Sequence, residues 1–136
     1  MHEYSFCFPR LSRARQIVFE FDRLRNFTSV RFHCNNLFSK DVRVFRRALL
    51  HFGATSRGYQ ARPVVYDFMR ETFIEFARNV IVPVPHRVGR FVRVELYFDA
   101  KWMMISEVRF DSGRVKWEGS KNWVRSRMNL HRIASS

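Results

Sequence analysis

The strongest constraint on this chain is a two-residue period of apolar side chains, clearest in Phe91-Val92-Arg93-Val94-Glu95-Leu96-Tyr97-Phe98. Successive side chains of an extended strand point to opposite faces, so Val92, Val94, Leu96 and Phe98 share one side while Arg93, Glu95 and Tyr97 share the other. The run describes a strand with one buried and one wet face. The period recurs in the second half of Ile17-Val18-Phe19-Glu20-Phe21-Asp22, in Val30-Arg31-Phe32-His33-Cys34, and in Val42-Arg43-Val44-Phe45-Arg46, which continues through Leu49-Leu50-His51-Phe52. It returns in Met104-Ile105-Ser106-Glu107-Val108-Arg109-Phe110. Turn-prone residues separate these runs: Asn26 to Ser29, Asn35-Asn36, the loop Gly53 to Gly58, and Asp99-Ala100-Lys101. Val80-Ile81-Val82 precedes Pro83 and Pro85, so it reads as a strand that ends or lies at an edge, because proline has no N–H to give a ladder.

Several short strands with turn chemistry between them predict a mainly β chain, an antiparallel sandwich or barrel of jelly-roll kind. A length of 136 residues suits one domain, and 15 Phe supply the core such a fold needs. The ends look different. Residues 1–15 hold Pro9 and no period and read as an irregular lead-in, and the stretch 113–136 reads as a basic flexible tail, leaving 16–112 as the β domain. Between Val64 and Arg78 the apolar residues 65, 68, 69, 73 and 76 fit helical spacing if Thr72 is admitted, so a short helix and an irregular crossing loop both stay open.

The formal charge of +13 attracts anionic polymers and surfaces. Its arginines are dispersed through apolar strands and form no block, so Arg43, Arg46, Arg47, Arg57, Arg62, Arg87, Arg90 and Arg93 read as a solvated sheet face. A basic heparin- or nucleic-acid-binding β protein is therefore the alternative reading. Cys7 and Cys34 are the only cysteines and lack metal-ligand spacing, so stability has to come from packing. Cys34 reads as a small buried group, and Trp102 with Met103-Met104 as core. No apolar run approaches the ~18 residues of a membrane span, and no apolar leader follows Met1. Paired acids, Ser-His-Asp order with elbow glycines, and kinase signatures are all missing from the sequence, which argues against an enzyme. Asn26-Phe27-Thr28 is an N-glycosylation sequon, making Asn26 a candidate glycan site.

Three segments carry a resemblance: Phe19-Glu20-Phe21-Asp22-Arg23-Leu24-Arg25-Asn26-Phe27-Thr28, then His33-Cys34-Asn35-Asn36, then Trp102-Met103-Met104-Ile105-Ser106-Glu107-Val108. With Val82-Pro83 and Val88-Gly89-Arg90-Phe91 between them, they resemble the discoidin-like domain of discoidin domain receptors, the collagen-binding receptor tyrosine kinases, over about Ile17 to Ser112. The resemblance implies a discoidin-like jelly roll lying beyond the collagen-binding domain, on the extracellular side of the plasma membrane. Collagen, bound through the parent receptor, and a second receptor copy are the implied partners, with no nucleic acid. It implies calcium as a ligand of the complete domain, with Ser106 and Glu107 at positions that contribute to the site. It also implies that Leu50 and Val94 stand where vertebrate members carry a disulfide. The family's barrel begins well before the Phe19 strand, and here MHEYSFCFPRLSRAR stands in place of that half and its calcium-binding acids. An incomplete barrel, with its N-terminal half absent and its strand edges open, is the expectation.

Overall fold

The alternating runs do become strands, and they are longer than their sequence punctuation suggests. The computed structural model describes residues 6–115 and the backbone of residues 128–132. Among the described residues the strands are β1 (Phe6–Pro9), β2 (Ala14–Cys34), β3 (Arg47–Gly53), β4 (Val64–Asp67), β5 (Arg78–Tyr97), β6 (Trp102–Arg114) and β7 (Met128–Arg132), with a single 3-10 turn at Phe38–Lys40. Every strand pairing is antiparallel, in the order β1-β6-β2-β5-β3-β4, and β7 also pairs with β2.

Two bent strands turn this one ladder into two layers. The first part of β2, Ala14 to Glu20, pairs with β5 from Tyr97 to Phe91, and β3 and β4 continue outward from there. The second part, Arg25 to Cys34, pairs with Gly89 to Arg78 of β5 on one side and with β6 on the other. Between them the register breaks, with Glu20 opposite Phe91 but Arg25 opposite Gly89, so Phe21 to Leu24 bulge out and the strand changes direction. Gly89 lies against Gly53 at this corner, where a Cβ would stand 3.1 Å from the Gly53 carbonyl oxygen. A side chain there would need the Gly53 backbone to give by a few tenths of an ångström.

The inner faces of the two layers meet through phenylalanine. Phe19 of the first layer meets Phe110 of the second edge-on at 4.9 Å between ring centroids, and Phe27 of the second meets Phe52 of the first at 5.5 Å. Phe21 at the corner contacts Phe27 at 5.0 Å and Phe110 at 5.0 Å. Ile17, Val82, Val92, Val94, Leu96 and Met103 fill the space around these rings and are all buried. Each Phe or Leu so enclosed contributes about 1.5–3 kcal/mol of transfer free energy, so this interleaved face is what holds the sandwich closed.

Several sequence readings change. The lead-in is not irregular throughout: Phe6 and Phe8 are buried on β1, which pairs with β6, and β2 begins at Ala14. The sequon segment is no turn, since Asn26 pairs with Val88 on one side and Gly113 on the other in mid-β2. Val42 to Arg46 is not a strand beyond one bridge from Val42 to Trp102, although Val42, Val44 and Phe45 are buried as the alternation required of two of them. Of the two alternatives for Pro83 and Pro85, an edge position holds and a strand end does not. The two prolines sit in a bulge of β5 where Ser29 faces Pro83 and Phe27 faces Arg87, with His86 at φ 51°, and β2 is the sole strand neighbour of that stretch among the described residues. Residues 64–78 form neither a helix nor only a loop: Val64–Asp67 is strand β4, and an irregular loop follows. Trp102 is 41% exposed while Met103 is core. In the tail, Gly113 and Arg114 complete β6 and residues 128–132 pair with β2. Residues 116–127 lie outside the described residues.

Candidate functional site

The side chains singled out in the sequence are spread over the sandwich. Ser106 and Glu107 sit on β6 at a bulge, because Glu107 faces His33 while Ile105 faces Cys34 and Ser106 is the extra residue. Ser106 Oγ donates to the His33 carbonyl at 3.2 Å. The Glu107 carboxylate accepts from Arg109 at 3.1 Å. Calcium needs about six to eight oxygen ligands. Among the described residues no three His, Cys, Asp or Glu side chains gather into a group that could hold a metal ion.

Asn26 is half-buried, and its Oδ1 is enclosed without a hydrogen-bond partner. Thr28 Oγ1 donates to the Asp111 carbonyl at 3.3 Å, so the hydroxyl of the sequon is also turned to the neighbouring strand. Cys7 and Cys34 are both free thiols. Burial pushes the Cys34 thiol up to about 12, which leaves it un-ionised and inert. Leu50 and Val94 are directly opposed on β3 and β5 and both fully buried, an apolar contact between facing strands.

Arg47, Arg87, Arg90 and Arg93 have local partners. Arg47 grips Asp67 through two hydrogen bonds of 2.6 and 3.3 Å, and that grip holds the Asp67 carboxyl below the usual carboxylate range. Arg87 donates to the Gln60 side chain at 3.0 Å and the Arg62 carbonyl at 2.8 Å. Arg90 reaches the Phe21 carbonyl at 2.8 Å, tying the corner of β2 to β5. Arg93 stacks on the Tyr59 ring at 4.6 Å. Burial, and after it the charge of Arg93, lowers the pKa of His51 against the opposing pull of Glu95. His51 is therefore uncharged at neutral pH.

Two features escaped the sequence reading. Arg25 is fully buried at the strand corner, with its guanidinium 2.5 Å from Asp22 and above the Phe21 ring. The second is a polar hub beneath the loop after β4. Buried Asn36 donates to both the Glu71 carbonyl and its carboxylate at 3.2 Å, and the carboxylate also takes the N–H groups of Phe73 at 2.8 Å and Ile74 at 3.1 Å. Arg78 closes the hub on Glu71 and donates to the carbonyls of Ile74 at 3.0 Å and Phe76 at 2.7 Å. Burial by itself raises the Glu71 pKa, but these donors outweigh it and hold the carboxyl below its ordinary range. Asn36 was legible only as a turn residue and Glu71 only as a polar helix position. The signal for the hub is long-range and invisible to local periodicity.

The polar groups that do meet form ion pairs and strand-to-strand hydrogen bonds, arrangements that shape surfaces. A family model, "Discoidin domain-containing receptor 1/2, DS-like domain", matches residues 10–112. The chain belongs to this family. It is 30% identical over 105 residues to "Discoidin domain-containing receptor tyrosine kinase B" of Caenorhabditis elegans, a match covering 76% of this chain and 13% of that protein. It is 31% identical over 101 residues to "Epithelial discoidin domain-containing receptor 1" of Rattus norvegicus, covering 74% of this chain and 11% of that one. The human receptor of the same name is 31% identical over 107 residues, again 74% of this chain and 11% of the receptor. The chain thus spans only about an eighth or less of these relatives. Among solved structures, "CpGH89CBM32-6 produced by Clostridium perfringens" superposes with a TM-score of 0.55 at 13% identity, covering 80% of this chain and 76% of that one, which supports the fold alone. The DS-like module, with its antiparallel sandwich, is what the residues assemble.

Proposed function

We propose that this DS-like module works as a non-catalytic structural and binding element in the extracellular part of a collagen-binding discoidin domain receptor tyrosine kinase. Its place is the outer side of the plasma membrane, supporting collagen-dependent signalling by the receptor. The observation that carries this reading is the family match over residues 10–112 on a chain whose strands form the corresponding sandwich. Leu50 facing Val94 adds to it, because an apolar pair fills a cross-strand position without leaving a lone thiol. Engaged arginines and an un-ionised Cys34 suit a scaffold better than a polyanion-binding tract or a nucleophile. The test is heparin and oligonucleotide binding by the isolated chain across a salt series. The proposal expects weak binding with a shallow dependence; tight binding whose log affinity falls steeply with log salt identifies a polyanion-binding protein instead. We further propose that Ser106 and Glu107 join a calcium site only when oxygens from outside the described residues complete it.

A further inference from the structure

The loop between β4 and β5 breaks the usual rule for an apolar surface. Met69 is 88% exposed, Phe73 91% and Ile74 61%, and Phe76, 51% exposed, lies under the Arg78 guanidinium. These four side chains cluster within eight residues of one loop, whereas singly scattered apolar residues on a surface need no explanation. A loop with nothing to hold it would fold such residues inward. Here the backbone is anchored from beneath: Glu71 takes the N–H groups of Phe73 and Ile74, and Arg78 binds the carbonyls of Ile74 and Phe76. Asn36, itself buried, ties Glu71 to the sandwich.

The same bonds dispose of the loop's acids. Glu71 is consumed by the hub, and Glu75 accepts the Ser39 N–H at 2.6 Å beside Lys40. Asp99 on the neighbouring turn is bound by Arg70 at 2.6 and 2.9 Å. The carboxylates are thus turned to the protein and matched there, while the apolar tips project outward. Lys40, Arg43, Arg46 and Arg70 border the loop: Arg46 through its carbonyl bond to the Phe68 N–H, Arg43 through its stack on Phe38, Lys40 beside Ser39, and Arg70 within the loop. Behind them stands a net charge of +13.

We propose that Met69, Phe73 and Ile74 form a wedge that docks on a phospholipid bilayer, with the exposed Lys40 and Arg46 reaching the headgroup phosphates. The occupant follows from the surface. An exposed apolar cluster bordered by cations fits an acyl–headgroup boundary, which deforms around it and presents anionic oxygens at its rim. A partner protein would have to supply a complementary pocket lined with acids. The inference goes beyond the receptor reading and does not depend on collagen.

The experiment uses the full chain with vesicles of phosphatidylcholine alone and of phosphatidylcholine with phosphatidylserine. Sedimentation is compared for the parent and for a variant carrying Met69→Ser, Phe73→Ser and Ile74→Ser, which keeps every charge, the stack of Arg78 on Phe76 and, the sites being exposed, the fold. The proposal expects the parent to bind, more tightly with phosphatidylserine, and the variant to partition at least tenfold more weakly on both. A second readout places an environment-sensitive dye at Phe73→Cys in a Cys7→Ser background, where buried Cys34 stays unlabelled; a blue shift on adding vesicles is expected. Equal binding by parent and variant, no binding by either, or a dye unchanged by vesicles overturns the proposal. So does a concentration-dependent dimer of the parent that the variant loses without any vesicle binding, which would give the wedge to a second copy.

Discussion

Leu50 and Val94 face one another on β3 and β5 with both side chains fully buried. Replacing both by cysteine in a Cys7→Ser background should let a disulfide close under mild oxidant, because facing residues of an antiparallel pair have Cβ atoms about 4.5–5.5 Å apart, within a small adjustment of bridge geometry. The bridge would close a loop of about 45 residues, and the chain-entropy relation then limits its stabilisation to about 4 kcal/mol. Strand adjustment subtracts from that, so about 2–3 kcal/mol is expected, or a rise in Tm of roughly 8–12 °C at about 4 °C per kcal/mol for a domain of this size. The reference has to be the same variant reduced, since trimming two core side chains destabilises the unbridged form. Thiol counting on native protein, intact mass without reductant, and melting curves with and without reductant read the result. Failure to bridge in the folded state, or a lower Tm when bridged, would refute the register: a slip of one residue turns Val94 outward and carries the whole alternation with it.

Phe110→Ala removes a ring in contact with Phe19, Phe21 and Phe27 and should cost about 3–5 kcal/mol in denaturant unfolding; a loss below about 1 kcal/mol would mean the two layers do not meet there. Asn26 is half-buried in mid-β2 with a paired strand on either side, so protein made through a secretory pathway should keep its unmodified mass; a mass shift removed by glycosidase would contradict the placement. Millimolar calcium should leave the Tm of the isolated chain unchanged, because Ser106 and Glu107 alone fall far short of about six oxygens; a rise abolished by Glu107→Ala would show that the chain completes the site unaided.

How much of this was legible follows from which interactions are local. Val92, Val94, Leu96 and Phe98 are buried as the alternation requires, because the pleat fixes their direction whatever the partner strand. Strand ends were not legible. Asn26 carries turn chemistry, yet ladder bonds to two neighbours outweigh it. Pro83 and Pro85 interrupt β5 only with a bulge, because they lie at an edge, the alternative the sequence allowed, where among the described residues no outer strand requires the N–H that proline lacks. Phe6 and Phe8 are too few to show a period and find their burial only once β6 is beside them. The helical spacing of residues 65–76 was real as a pattern, but Glu71 takes the N–H groups of Phe73 and Ile74, and Asn36 comes from far along the chain to hold it. Arg25 could not be told from its exposed neighbours, since its burial depends on the corner that β2 and β5 make together. The family resemblance survived these errors because it rests on ordered segments and not on where any one strand stops.

The most direct test is a chimeric receptor in which residues 10–112 replace the matching segment of a discoidin domain receptor relative, expressed at the cell surface and exposed to fibrillar collagen. The account predicts collagen-triggered tyrosine phosphorylation well above the unstimulated level, lowered when Phe110→Ala loosens the module. A chimera that reaches the surface in normal amount and stays silent to collagen, while the relative's own segment restores the response, would contradict it.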